Sequence, residues 1–183
     1  MRPIALGVCT LVMAACSSSS RGSSSGVTVT GTIDGHPVAT TSALGVLLTQ
    51  TVDKVTSTSA GVTIMSLPAT CDAVIGGSDV ADQTILFVAA GVEGSTLPPG
   101  QYTISPSNPY VGASYGTANA SCFETTAQYA TSGTITISVA GGGIIQGDFD
   151  VTFPTGETLT GTFSVPICID PNTQPDAAPE CGS

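Results

Sequence analysis

The sequence predicts an all-β domain, most simply an antiparallel β-sandwich. Three observations lead there. Apolar residues recur with a period of two in three successive runs, 134–139, 148–153 and 158–165. The chain carries 22 Gly and 12 Pro in 183 residues, and these fall between apolar runs at the short intervals typical of strands and turns. Only 9% of residues are charged, so Thr, Ser, Asn and Gln supply most of the polar surface, a composition suited to pleated, half-buried strands. A partly closed barrel is the second architecture that these features fit.

The elements follow in order. Val27, Val29 and Ile33 alternate with Thr28, Thr30 and Thr32, and Gly31 takes the remaining inward place. Asp34-Gly35 is a hairpin turn signal, and a second strand is expected near Pro37. Residues 44–50 and 61–67 are candidate strands. Pro68 suits a first helical position and Gly76-Gly77 a stop, so a short helix is expected near 68–75. The continuous apolar run in 84–90 reads as a central strand buried on both faces. Pro98-Pro99-Gly100 is a turn that leads into a strand at 101–105. The three C-terminal runs form a meander. Ile135, Ile137, Phe149, Val151, Phe153, Leu159, Phe163 and Val165 share its inward face, and Thr, Ser and Asp lie outward. Gly161 falls on the apolar face, where a missing side chain lets a strand or ring approach closely. The tail 169–183 is rich in Pro, Asp and Ala and reads as irregular.

Charge bounds the partners. The chain has 13 acidic residues against 3 basic ones, a formal net charge of −10. Phosphate neutralisation needs Lys and Arg, so nucleic acid is not an expected partner. Electrostatic attraction to anionic lipid is not expected, on the same ground.

The N-terminus is the most specific segment. Arg2 precedes an apolar stretch over 4–15, which ends Met13-Ala14-Ala15-Cys16 and is followed by a serine-rich segment. A dozen apolar residues are too few to span about 30 Å of hydrocarbon as a helix. The pattern resembles a bacterial lipoprotein signal peptide, with Met13 where Leu is usual. The resemblance implies removal of 1–15 and lipid attachment at Cys16. It makes 16–26 a flexible tether, with a reach of about 17 Å for ten residues. The folded domain is then 27–168. Ser17 after the cysteine points to the outer membrane.

Cys9 leaves with the signal, and Cys71, Cys122, Cys168 and Cys181 remain beside the lipidated Cys16. An even number in an exported chain predicts two disulfides with three pairings open. The preferred pairing is Cys71–Cys122 with Cys168–Cys181. With no Cys-x-x-Cys and a single histidine, His36, no metal site is expected.

Candidate chemistry is sparse. Asp148 and Asp150 stand on one strand face about 7 Å apart. That suits paired carboxylates, but their threonine-rich face favours a solvated surface over catalysis or calcium binding. His36 lies near Asp34, yet no Gly-x-Ser-x-Gly supplies a nucleophile. Gly141-Gly142-Gly143 reads as a turn rather than a phosphate loop. Tyr102, Tyr110, Tyr115 and Tyr129 are either a ligand-contact surface or ordinary sheet residues. No catalytic or cofactor-binding residue is predicted.

One further resemblance spans most of 27–168. Ser132-Gly133-Thr134, Gly147-Asp148-Phe149-Asp150 and Leu159-Thr160-Gly161-Thr162-Phe163 resemble the closing strands of small bacterial lipoproteins. Gly31-Thr32-Ile33-Asp34-Gly35 and Pro99-Gly100-Gln101-Tyr102 also fit. The resemblance implies a β-sandwich-like lipoprotein domain and no catalytic residues. The expected function is a non-enzymatic cell-envelope lipoprotein with a structural or interaction role, whose partners are the membrane through its anchor and an envelope protein or glycan. A small-ligand or glycan-binding module is the second reading, and a hydrolase the third.

Overall fold

The computed structural model describes residues 26–52, 54–71, 84–108, 110–119 and 127–168. The strands among them are, in chain order, β1 (Thr28–Ile33), β2 (His36–Pro37), β3 (Ser42–Val52), β4 (Val55–Met65), β5 (Thr84–Glu93), β6 (Gly100–Ile104), β7 (Gly112–Thr117), β8 (Gln128–Tyr129), β9 (Ser132–Gly141), β10 (Ile144–Thr152) and β11 (Thr158–Pro166). They form two antiparallel sheets, ordered β2-β1-β11-β10-β9-β6 and β3-β4-β5-β7-β8. The sheets do not close into a barrel, and the architecture is that of a β-sandwich.

The core lies between the sheets, as the alternation requires. All eight residues expected on the inward face of the meander are buried, none more than 3% exposed. Ala60, Val62, Ile64, Leu86, Val88 and Ala90 meet them from the facing sheet. Each large side chain removed from water in this way stabilises the fold by about 1.5–3 kcal/mol.

A reciprocal contact organises the β10–β11 pair. Gly147 stands opposite Phe163, and Phe149 opposite Gly161. A Cβ added at Gly147 would lie 2.7 Å from Phe163 Cζ, and one at Gly161 would lie 2.6 Å from Phe149 Cζ. Each ring therefore covers the bare backbone of the other strand. Strand β1 closes over Gly161 from the other side, its Thr28 carbonyl occupying the place of a side chain. This explains why a Gly-x-Phe pattern occurs in both strands.

Several expectations need correction. The candidates at 44–50 and 61–67 are parts of one long hairpin, β3–β4, in which Val52 pairs with Val55. Its turn holds Lys54 at φ 73°, without the glycine that usually marks such a turn. Strand β5 is central in its sheet but is not buried on both faces: Leu86, Val88 and Ala90 are buried, whereas Phe87 and Ala89 are half-buried. Phe87 lies instead over Gly61 on the outer face. Of the short helix expected near 68–75, residues 68–70 are irregular, Cys71 is helical, and 72–75 lie outside the described residues.

The preferred disulfide pairing is also corrected. Cys71 is bonded to Cys168, with a Cα–Cα distance of 4.9 Å across 97 residues of sequence. That bond excludes both Cys71–Cys122 and Cys168–Cys181, and leaves Cys122 and Cys181, which lie outside the described residues. The reason is a crossing of the chain between sheets. After β11, Ile167 bridges Gly45 on β3, and the Cys168 N–H donates to the Gly45 carbonyl at 2.8 Å. Cys168 is thereby carried from its own sheet to the other, near the exit of β4. A covalent loop of this length is worth about 4.7 kcal/mol in the chain-entropy model.

The inward and outward faces of β10 should separate sharply in stability. Phe149→Ala in the unlipidated Cys16→Ser chain should cost about 3–5 kcal/mol in a denaturant titration. Asp150 is exposed, so Asp150→Asn should change stability by less than about 0.5 kcal/mol.

Candidate functional site

The register of β1 against β11 sets two turns side by side at one end of the sandwich. Asp34 and Gly35 both take positive φ, 53° and 73°, the pair that a two-residue hairpin turn requires. Their N–H groups donate to the Glu157 carboxylate, each at 3.0 Å. Thr155 Oγ1 donates to the same carboxylate at 2.9 Å. The 153–157 turn is itself closed by Phe153 N–H to Glu157 O and Gly156 N–H to Phe153 O, both 2.9 Å. Glu157 thus clamps the β1–β2 turn onto the β10–β11 turn. Hydrogen bonds from the Gly35 and Asp34 backbones hold its pKa below the ordinary carboxylate range. The half-buried Tyr115 phenol lies near this clamp. Burial raises its pKa, the Asp34 and Glu157 charges raise it further, and a hydrogen bond with Thr84 opposes them.

A cavity of about 650 Å³ opens at the same end. Its walls come from the exit of β6 (Ser105, Pro106), from β8 and its flanks (Ala127, Gln128, Tyr129, Ala130, Thr131) and from the β10–β11 turn (Pro154, Thr155). None of these side chains is charged. Tyr129 is 65% exposed. Gln128 Oε1 is buried and accepts no hydrogen bond among the described residues. The Thr131 hydroxyl donates to the Thr152 carbonyl at 3.2 Å, which fixes its orientation. The volume falls within the range of small-ligand sites, about 300–1,000 Å³.

The residues singled out in the sequence do not converge here. Asp148 and Asp150 point outward from β10, between Thr136 and Thr162 and between Thr134 and Thr160. His36 is exposed on β2. Gly142 and Gly143 form the β9–β10 turn, as expected. The tyrosines are dispersed. Tyr102 donates to the Pro98 carbonyl, Tyr115 packs against the core, Tyr110 is exposed, and Tyr129 alone of the four lines the cavity. Among the described residues, no group of three His, Cys, Asp or Glu is placed to hold a metal. No helix among them is long and apolar enough to cross a membrane. Cys16 lies outside the described residues.

The Glu157 clamp and the cavity were not visible in sequence. Both depend on strand register and on the approach of two sheet ends, which no local pattern encodes. Comparison with protein-family models, curated proteins and solved structures finds no match to this chain.

The clamp makes a signed pH prediction. A lowered native pKa stabilises the fold above the ordinary carboxylate pKa, and that contribution is lost as pH falls through the native value. Glu157→Gln should therefore lower Tm at pH 7. The difference from wild type should shrink below about pH 4, as thermal melts across pH would show. A difference independent of pH would remove the carboxylate from the account.

Proposed function

We propose that this chain is a non-enzymatic lipoprotein of the bacterial cell envelope, anchored in the outer membrane through Cys16, whose β-sandwich acts as an interaction module. One geometric observation supports it beyond the N-terminal pattern. The tether enters the domain at Gly26, whose carbonyl accepts from Ser164 N–H at 3.0 Å, near the end of β11. The cavity is bordered by the turn just before the start of β11. Six residues of that strand, from Thr158 to Ser164, separate them by roughly 20 Å. A domain hung from Gly26 turns its concave site away from the lipid surface, where a partner meets it.

The described polar groups favour binding over catalysis. Asp148, Asp150 and His36 face water, and Glu157 is occupied by backbone N–H groups. A fold alone assigns no function, so this reading rests on the site. The neutral cavity with Tyr129 at its wall favours the glycan-binding version of an interaction role over a purely structural one.

Metabolic labelling with a fatty-acid probe tests the anchor. The wild-type protein should be labelled and recovered with outer membranes, and Cys16→Ser should be neither. Equal labelling of the two would overturn the assignment.

A further inference from the structure

We infer that the cavity between Tyr129 and the turn at Pro154 and Thr155 binds a neutral saccharide. This rests on the reading of the domain as an interaction module and names the chemistry of its ligand. The first ground is charge. No described wall residue is ionisable in the neutral range, and the chain as a whole carries −10. Among the described wall residues an anion would meet no compensating cation, and a cation no carboxylate.

The second ground is the polarity of the hydrogen bonds on offer. Thr131 Oγ1 gives its proton to the Thr152 carbonyl, and Thr155 Oγ1 gives its proton to Glu157. Both hydroxyls therefore present lone pairs rather than protons to a ligand. Gln128 Oε1 is a third acceptor, and it has no donor among the described residues. A buried acceptor left unpaired destabilises the free domain, a cost that a ligand O–H removes after rotation of the amide. A site rich in acceptors and free of charge selects a neutral ligand rich in O–H donors. A saccharide has that character, whereas an amino acid or an acyl chain does not.

The third ground is shape. Tyr129 offers an exposed ring on which the C–H face of a pyranose can lie. Pro106 and Pro154 stiffen the walls on either side. Rigid walls lose little entropy on binding, so the cavity is prepared for its ligand.

The test uses the mature lipoprotein in a polyoxyethylene detergent, which carries no sugar headgroup. Calorimetric titration employs neutral hexasaccharides (β-1,4-glucan, α-1,4-glucan, chitin and mannan) with hexagalacturonate as the charged control. At least one neutral hexasaccharide should bind with a Kd of about 0.1–1 mM, and hexagalacturonate more weakly. Tyr129→Ala and Gln128→Leu should each weaken binding about tenfold without lowering Tm. Lys54→Ala, remote from the cavity, should leave it unaltered. No binding of any neutral hexasaccharide up to about 10 mM, or binding indifferent to Tyr129→Ala and Gln128→Leu, would overturn the inference. The same preparation carries the fatty-acid label. Labelled protein that binds no saccharide contradicts the cavity assignment alone, and unlabelled protein that binds saccharide contradicts the anchor alone.

Discussion

The reciprocal packing of Phe149 over Gly161 and of Phe163 over Gly147 fixes the register of β10 against β11, and much of the molecule depends on that register. Side chains alternate, so a slip of one residue would exchange the faces of the strand. Asp148 and Asp150 would then enter the core, where an unpaired carboxylate is far more costly than any packing term. The glycines add a second constraint. At Gly147 the place of a side chain is taken by the Thr136 carbonyl, and at Gly161 by the Thr28 carbonyl. Strands β9 and β1 are therefore seated by the same two positions. With β1 in place, Asp34-Gly35 reaches Glu157, and the end of the sandwich that bears the cavity is assembled.

Legibility in the sequence followed the range of the interaction. The meander was readable because a period of two and a single buried face are local facts, and Ile135, Phe149 and Leu159 lie where the alternation puts them. The Asp34-Gly35 turn was readable because two positive φ values demand such residues. The β3–β4 hairpin was not, since its turn uses Lys54 instead of glycine, and its Thr and Ser positions blur the apolar alternation. Phe87 misled for a related reason. A continuous apolar run says that both faces are covered, not by what, and here the cover over Gly61 is the strand's own ring. The Cys71–Cys168 bond, the Glu157 clamp and the cavity needed tertiary knowledge, because their parts are 97 or more residues apart or come from three separate strand ends.

The functional picture joins two ends of one domain. At one end the described chain begins at Gly26, beside the Gly141–Gly143 turn and the exit of β11. The same end carries the chain across to β3, where the Gly45 bridge and the disulfide tie the two sheets together. At the other end, turns held by Glu157 border a neutral cavity with an exposed tyrosine. Rigidity at both ends suits the proposed role, a preformed site held at a distance from an anchored N-terminus. The carboxylates of Asp148 and Asp150 are exposed on β10 and take no part in the cavity wall.

Native-state hydrogen exchange, read amide by amide on the unlipidated Cys16→Ser chain, tests the organising role of the β10–β11 pair most directly. If the interlocked rings hold the sandwich together, the slowest amides will be those of Phe149, Val151, Gly161 and Phe163, exchanging only by global unfolding. The edge strands β3 and β8 will open at lower free energy. A slowest class confined to β4 and β5, with the Phe149 and Phe163 amides exchanging as freely as those of β3, would contradict the account.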